Sequence, residues 1–283
     1  MPRSSFLFCC CLAGACVSTA DATPSTATPS GAAPSNAPLS HAPADASRRA
    51  SNNKAAGGPA MMDRTNARDE TRAKRARAGA DPAINEAWAQ PDIDPLVGRL
   101  EDETREIFAH RDRVIQVIAP KPGSVVADIG SGSGFLTLLM SKKVGPTGKV
   151  LAVDINPALL QEVARRAQAS RLANIETRVA VQDQSPLDPD SVDLVLICDT
   201  YHHFEKPHST LLSLLAALKP GGELLLVDFE RIEGQTKPFM MQHVRAGKDV
   251  FRQEVLDAGF ELVTEHHVPE LRENYILRFR RPV

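Results

Sequence analysis

Residues 125–134 read Val-Val-Ala-Asp-Ile-Gly-Ser-Gly-Ser-Gly, and more follows from this run than from any other in the chain. A short apolar strand carries an acid, Asp128, near its end, and Gly130, Gly132 and Gly134 follow at alternate positions. Phe135-Leu-Thr-Leu-Leu-Met140 then has the composition of a helix start. Strand, glycine turn and helix N-terminus in succession build a nucleotide-type binding site. Three positions without side chains leave room for a ligand to lie against the backbone.

The spacing separates two ligand classes. A dinucleotide site needs G-x-G-x-x-G. Counted from Gly130 the sixth position is Phe135, and counted from Gly132 it is Thr137, so neither frame fits. The chain has D-x-G-x-G-x-G, with an acid inside the turn. That acid repels a pyrophosphate and suits a ligand with a cationic amino group and a neutral ribose. S-adenosylmethionine has both.

Outward from the turn, apolar runs alternate with helical patterns. Strands are predicted at Val125–Ile129, Lys149–Val153, Ile175–Val181, Val192–Ile197, Glu223–Asp228, Phe260–Val268 and Tyr275–Arg280. Helices are predicted at Pro95–Ala119, Phe135–Val144, Pro157–Ser170 (capped by Asn156), Pro207–Leu218 and Lys248–Ala258. Alternation of this kind predicts an α/β fold, a doubly wound and mostly parallel sheet covered on both faces. The short turn between the last two strands predicts an antiparallel pair.

Asp128-Ile-Gly-Ser-Gly-Ser-Gly134, Val150-Leu-Ala-Val-Asp154, Ser191-Val-Asp-Leu-Val-Leu196 and Leu218-Lys-Pro-Gly-Gly-Glu-Leu-Leu-Leu-Val-Asp228 resemble, in order, the blocks of the class I S-adenosylmethionine-dependent methyltransferases. The resemblance covers residues 90–283. It implies a Rossmann-like sheet of seven strands in the order 3-2-1-4-5-7-6, strand 7 antiparallel, and S-adenosylmethionine as cofactor. It further implies that Asp128 acts on the cofactor's amino group, directly or through water. Asp154, about 20 residues past the glycine turn, accepts both ribose hydroxyls, with charged hydrogen bonds of about 1.5–3 kcal/mol each. Asp183 accepts from the adenine amino group. Ile155 is placed to cover one adenine face and equally to pack in the core. Two alternatives stay open: a protein that binds the cofactor without turnover, and a nicotinamide-dependent oxidoreductase.

Beyond the fourth strand, Cys198-Asp-Thr-Tyr-His-His-Phe204 corresponds to the place where the family's chain passes the transferring methyl. Asp199, Tyr201, His202 and His203 are its polar candidates, with Asp199, His202 and His203 as the catalytic set. Methyl transfer is a displacement at a sulfonium carbon, and holding the acceptor in line supplies about 7–11 kcal/mol. A base is needed only for an acceptor that carries a proton at neutral pH. Asp228, His243-Val-Arg245 and His110-Arg111 are further candidates for the pocket wall. No Cys or Glu completes a tetrahedral set around His202, His203 and His208, so no metal is expected.

Charge divides unevenly. Residues 1–80 carry ten Lys and Arg against five Asp and Glu, leaving 23 against 30 in residues 81–283. A methyltransferase domain (81–283) with a balance of −7 has no field to gather nucleic acid, which favours a small-molecule acceptor. Residues 21–80 are a low-complexity and then basic linker, too polar to bury a core. Residues 1–20 combine Arg3, an apolar run from Phe6 to Val17 and small residues before Asp21, the pattern of an export leader. Cleavage after Ala20 and lipidation at Cys16, within Ala13-Gly-Ala-Cys16, are both compatible with it. Either makes the protein exported or bound to the cell envelope; an unprocessed leader leaves it in the cytoplasm, where the donor is made. The cysteines outside the leader number one, Cys198.

Overall fold

The computed structural model describes residues 79–89, 92–181 and 184–283. The leader, its Cys16 and all but the last two residues of the 21–80 segment lie outside them. Seven strands, β1 (Val125–Ile129), β2 (Lys149–Asp154), β3 (Ile175–Val179), β4 (Val192–Cys198), β5 (Leu218–Phe229), β6 (Glu261–His266) and β7 (Asn274–Arg280), form one sheet in the order β3-β2-β1-β4-β5-β7-β6. The first five are parallel, and β7 runs antiparallel to both β5 and β6. The expected order and the direction of the final pair are both met.

Period-two alternation sends successive strand residues to opposite faces. Ala127, Leu151, Val195 and Leu224 share one core cluster, whereas Val126, Val150, Leu194 and Leu225 share the other. The first face is covered by α7 (Pro207–Ala217) and α9 (Lys248–Asp257) through Leu211, Leu214, Phe251 and Val255. The second is covered by α4 (Arg111–Ile118) and α5 (Phe135–Val144) through Val114, Ile118, Met140 and Val144. Alongside them α6 (Pro157–Ala169) packs Leu160 and Val163 on Ala152 of β2. Asn156 caps α6 as expected, its side-chain oxygen accepting from the Ala158 amide at 2.8 Å.

The single helix expected over Pro95–Ala119 is three: α2 (Ile93–Leu100), α3 (Glu106–Ala109) and α4. The break falls at Glu101-Asp-Glu-Thr-Arg105. Asp102 takes the Thr104 amide at 2.8 Å and Arg105 turns back to the Leu100 carbonyl at 2.7 Å, so local side-chain bonds replace helical ones. Strand β5 begins five residues before the expected Glu223, because Leu218 pairs with Val192 ahead of a bulge. Two short helices join the expected set, α1 (Ala83–Ala89) and α8 (Pro238–His243).

Candidate functional site

The sheet presents its carboxyl ends to a hollow of about 1230 Å³, its mouth included. Its floor is the β1–α5 turn and the end of β2, where ligands of open α/β sheets lie. Asp128 faces it from β1, 3% exposed, accepting from Thr137 Oγ1 at 2.5 Å. Burial pushes its carboxyl up to about 6; the Thr137 bond pulls the other way and the nearby Asp154 adds to the rise. Asp154 is also buried and raised by burial. Its Oδ2 accepts the Gly132 amide at 3.0 Å and its Oδ1 the Asn156 amide at 2.9 Å. Backbone amides of Gly132, Asn156 and Ile155 therefore aim this carboxylate.

Gly130 and Gly132 line the hollow, and two of the three glycines have a further reason in the protein's own packing. Gly130 and Gly134 have φ of 72° and 78°, a region that side chains disfavour. A Cβ on Gly134 would stand 2.7 Å from Val163 Cγ2, and one on Gly130 would strike the Thr200 side chain. Both positions clear the protein's own packing, of α6 and of the β4 exit. At Gly132 the neighbour is Leu100 of α2, itself part of the wall. Ser131 and Ser133 in the same turn have buried hydroxyls without a hydrogen-bond partner.

Ile155, 40% exposed, Val181 and Gln184 form the side toward β3. Asp183 lies outside the described residues. The roof is α1: Asn85 and Trp88 line the hollow, held because Asn156 Nδ2 donates to the Trp88 carbonyl at 2.6 Å and the Ala80 amide to the Phe204 carbonyl at 2.7 Å. Among the described residues the arginine on the wall is Arg105, whose Nη2 lies 2.7 Å from Asp199 Oδ2. Arg111, the expected basic residue, instead pairs with Glu103 at 3.1 Å and stacks on Phe108. The α2–α3 turn is clamped from outside as well. Arg166 of α6 pairs with Glu101 and donates to the Ser133 carbonyl at 2.7 Å.

The expected catalytic set divides. Asp199, at φ 49°, is engaged on both oxygens, by Arg105 and by Asn274 Nδ2 at 2.7 Å. It positions Arg105. Tyr201 is fully buried, its hydroxyl donating to Glu254 at 2.7 Å, with Arg245 bound to the same carboxylate. Both Tyr201 and Arg245 are thus core. His202 is buried with Nδ1 2.7 Å from Asp228 Oδ1, which puts Asp228 behind the wall and not on it. His203 does line the hollow. Burial pushes its imidazole down to about 3, with His202 and His243 adding to the fall. Exposed His208 stands apart on α7, and His243, at the end of α8, is the residue that joins the pair, its ring centroid 5.1 Å from each.

Residues 120–274, more than half of the chain, match the family model described as a methyltransferase domain. The ubiquinone/menaquinone biosynthesis C-methyltransferase UbiE of Ectopseudomonas mendocina (strain ymp) is 27% identical over 183 residues, 54% of this chain and 72% of that one. UbiE of Pseudomonas fluorescens (strain SBW25) is 34% identical over 118 residues, 41% and 46% of the two chains. Among solved structures, a SAM-dependent methyltransferase from Aquifex aeolicus superposes with a TM-score of 0.60 at 24% identity, covering 68% of this chain and all of that one. The cyclase SpnF superposes at 0.53 with 16% identity, over 61% and 81%. These two likenesses concern the fold; one fold hosts more than one reaction.

Proposed function

The chain belongs to the methyltransferase-domain family and is a class I S-adenosylmethionine-dependent methyltransferase, and from there we propose that its acceptor is a small organic molecule taken into the hollow beside the cofactor. The observation that carries the proposal is the enclosure: the floor holds two buried acids, and α1 lies over the top through Asn85 and Trp88. A covered floor of this kind suits a small molecule, and the domain's net charge of −7 does not attract nucleic acid. The relatives named for C-methylation in ubiquinone and menaquinone biosynthesis support an aromatic acceptor of that general class.

In this reading Asp154 receives the two ribose hydroxyls and Asp128 the cofactor's ammonium. Arg105 receives its carboxylate, with the Ser131 and Ser133 hydroxyls close by. Ile155 covers the adenine, whose amino group Asp183 accepts. The methyl then points toward the β4 exit and His203. Catalysis is chiefly alignment of methyl and acceptor in a site from which water is excluded.

Calorimetric titration of S-adenosylmethionine tests the cofactor half: wild type binds in the micromolar range, and Asp154→Ala removes the binding. Labelled donor with cell extract tests the acceptor half. Label in the small-molecule fraction supports the reading; label confined to protein or nucleic acid overturns it. The leader we propose as an export signal from its composition alone. Mass spectrometry of the mature N-terminus separates cleavage after Ala20, lipidation at Cys16 and retention in the cytoplasm.

A further inference from the structure

Three imidazoles meet beside the hollow, one of them, His203, in its wall. His202 and His203 are consecutive on the 3-10 turn Tyr201–His203 after β4, and His243 comes from the end of α8. One ring nitrogen from each lies within 4.8 Å of one from each of the others. The ring centroids stand 4.3 Å apart for His202 and His203 and 5.1 Å for either with His243. Among the described residues no other three His, Cys, Asp or Glu side chains converge in this way.

Two of the rings are oriented from behind. His202 Nδ1 faces Asp228 Oδ1 at 2.7 Å, so this nitrogen carries the hydrogen and Nε2 is left with a lone pair. For His203 the tautomer follows from Asn85. The amide nitrogen of Asn85 donates to the His203 carbonyl at 3.1 Å and to Glu205 Oε1 at 2.9 Å. Its oxygen is therefore the atom turned to His203 Nδ1, at 3.0 Å. That nitrogen too carries its hydrogen, and Nε2 is again the free one. A carboxylate behind one imidazole and an amide oxygen behind the next is the outer shell that fixes and strengthens metal-binding histidines.

We propose that His202, His203 and His243 form a binding site for a divalent transition-metal ion of the zinc class at the acceptor end of the methyltransferase pocket. The donor set selects the class. Three imidazoles and no carboxylate suit zinc, cobalt or nickel and not magnesium or calcium, which take oxygen. Three protein ligands with one position left for a small molecule is the arrangement of a working and not a purely structural zinc site. Because His203 lines the hollow, the open position faces the acceptor. Tetrahedral zinc–imidazole bonds of about 2.0–2.1 Å put ligand nitrogens about 3.3 Å apart. Rotation of the half-buried His243 side chain supplies the closing movement.

The site deepens the methyltransferase reading but does not depend on it for the binding itself. An acceptor hydroxyl or thiol coordinated at the open position loses its proton more readily. That proton passes to solvent, and the resulting anion takes the methyl either on its own oxygen or sulfur or on a neighbouring ring carbon, which then also releases its proton to solvent. In both cases the sulfonium carbon–sulfur bond breaks and S-adenosylhomocysteine leaves. The histidines thus act on the acceptor through the ion.

The test uses untagged full-length chain, stripped with chelator, with the leader cysteines Cys9, Cys10, Cys11 and Cys16 changed to serine so that they bind nothing. Zinc chloride titrated calorimetrically gives one site of micromolar affinity or better, weakened at least 100-fold in His243→Ala and roughly 10–100-fold in Asn85→Ala. Cobalt gives the visible absorption of a tetrahedral site, lost in His243→Ala. S-adenosylmethionine is titrated into the same metal-free protein. Zinc that fails to bind while the cofactor binds overturns the metal site and leaves the methyltransferase reading standing. Zinc that binds equally in wild type and His243→Ala overturns it too, because the ion is then held elsewhere.

Discussion

Arg105 Nη2 lies 2.7 Å from Asp199 Oδ2, and this pair joins the turn ahead of α3 to the exit of β4 in the wall of the hollow. The Asp199 side chain is 7% exposed and that of Arg105 26%, so the acid holds while the guanidinium keeps a face toward the pocket. Arg105 also donates to the Leu100 carbonyl at 2.7 Å, and two anchors fix its fork before any ligand arrives. Pre-ordering of this kind spares a ligand the entropy of recruiting a flexible side chain.

If Arg105 receives the cofactor's carboxylate, Arg105→Ala weakens S-adenosylmethionine by ten- to a hundredfold, corresponding to a charged hydrogen bond of about 1.5–3 kcal/mol. Methylthioadenosine, which lacks the amino-acid tail, binds wild type and variant alike. Asp199→Asn falls between the two, because the arginine stays but its anchor is neutral. Calorimetry with both ligands checks this; equal losses for the two ligands would assign Arg105 to the fold and not to the tail.

Asp128 predicts a pH dependence. Its carboxyl is raised from 3.8 to about 6, chiefly by burial, so the folded chain holds this proton more tightly than the unfolded one. Stability from this group is therefore full below about pH 4 and is lost as pH rises through 6, a cost of roughly 3 kcal/mol at neutrality. An ammonium bound beside the ionised acid offsets that cost. Cofactor affinity consequently falls about tenfold from pH 7 to pH 5, as the acid takes up its proton. In Asp128→Asn the affinity is weak and flat over the same range, and the apo variant melts above wild type at pH 8. A wild-type titration with no pH dependence would remove Asp128 from the ammonium site.

What was legible in the chain follows from where the information is local. Asp128 and Asp154 end apolar strands, and an acid at a strand's carboxyl end has few structural uses, so their place at the floor could be read directly. The strand order could be read because alternation and one short final turn leave few topologies. Arg105 was hidden because Leu100 and Ile107 are seven residues apart, a helical spacing that masks the break between them. Trp88 and Asn85 were hidden because α1 is seven residues long and owes its place to tertiary bonds from Asn156 and Phe204. His243 gave no local sign of meeting His203, since 40 residues and α7, β5 and the loop beyond separate them. Tyr201 reads as a site residue because it follows a strand end, and Arg245 because it lies in the long connection after the fifth strand. Their bonds to Glu254 belong to the core.

Trp88 is the chain's one tryptophan, and it lines the roof with its ring 5.6 Å from that of His203, edge on. Cofactor binding beneath α1 changes the surroundings of that indole, so its emission shifts or quenches on titration. The midpoint should match the calorimetric Kd. Trp88→Ala opens the roof and raises the Kd several-fold while leaving the melting temperature within a few degrees, because α1 covers the sheet's end and not its core. An emission spectrum indifferent to saturating cofactor would place α1 away from the bound ligand.

Gly134→Ala is expected to be among the most damaging single-methyl additions in the chain. Two penalties act together: φ of 78°, worth about 1–2 kcal/mol for a residue with a Cβ, and a contact of 2.7 Å with Val163 Cγ2. Val163 is fully buried on α6 and cannot swing away without moving the helix, so overpacking adds about 1–3 kcal/mol. The two are separable by a double-mutant cycle. Val163→Ala alone costs about 1–3 kcal/mol for its lost methyls. Combined with Gly134→Ala it relieves the collision but not the backbone strain, giving a coupling of about 1–2 kcal/mol in urea denaturation. Additive losses would mean that the helix has shifted to accommodate the methyl, and that the glycine is present for its conformation alone.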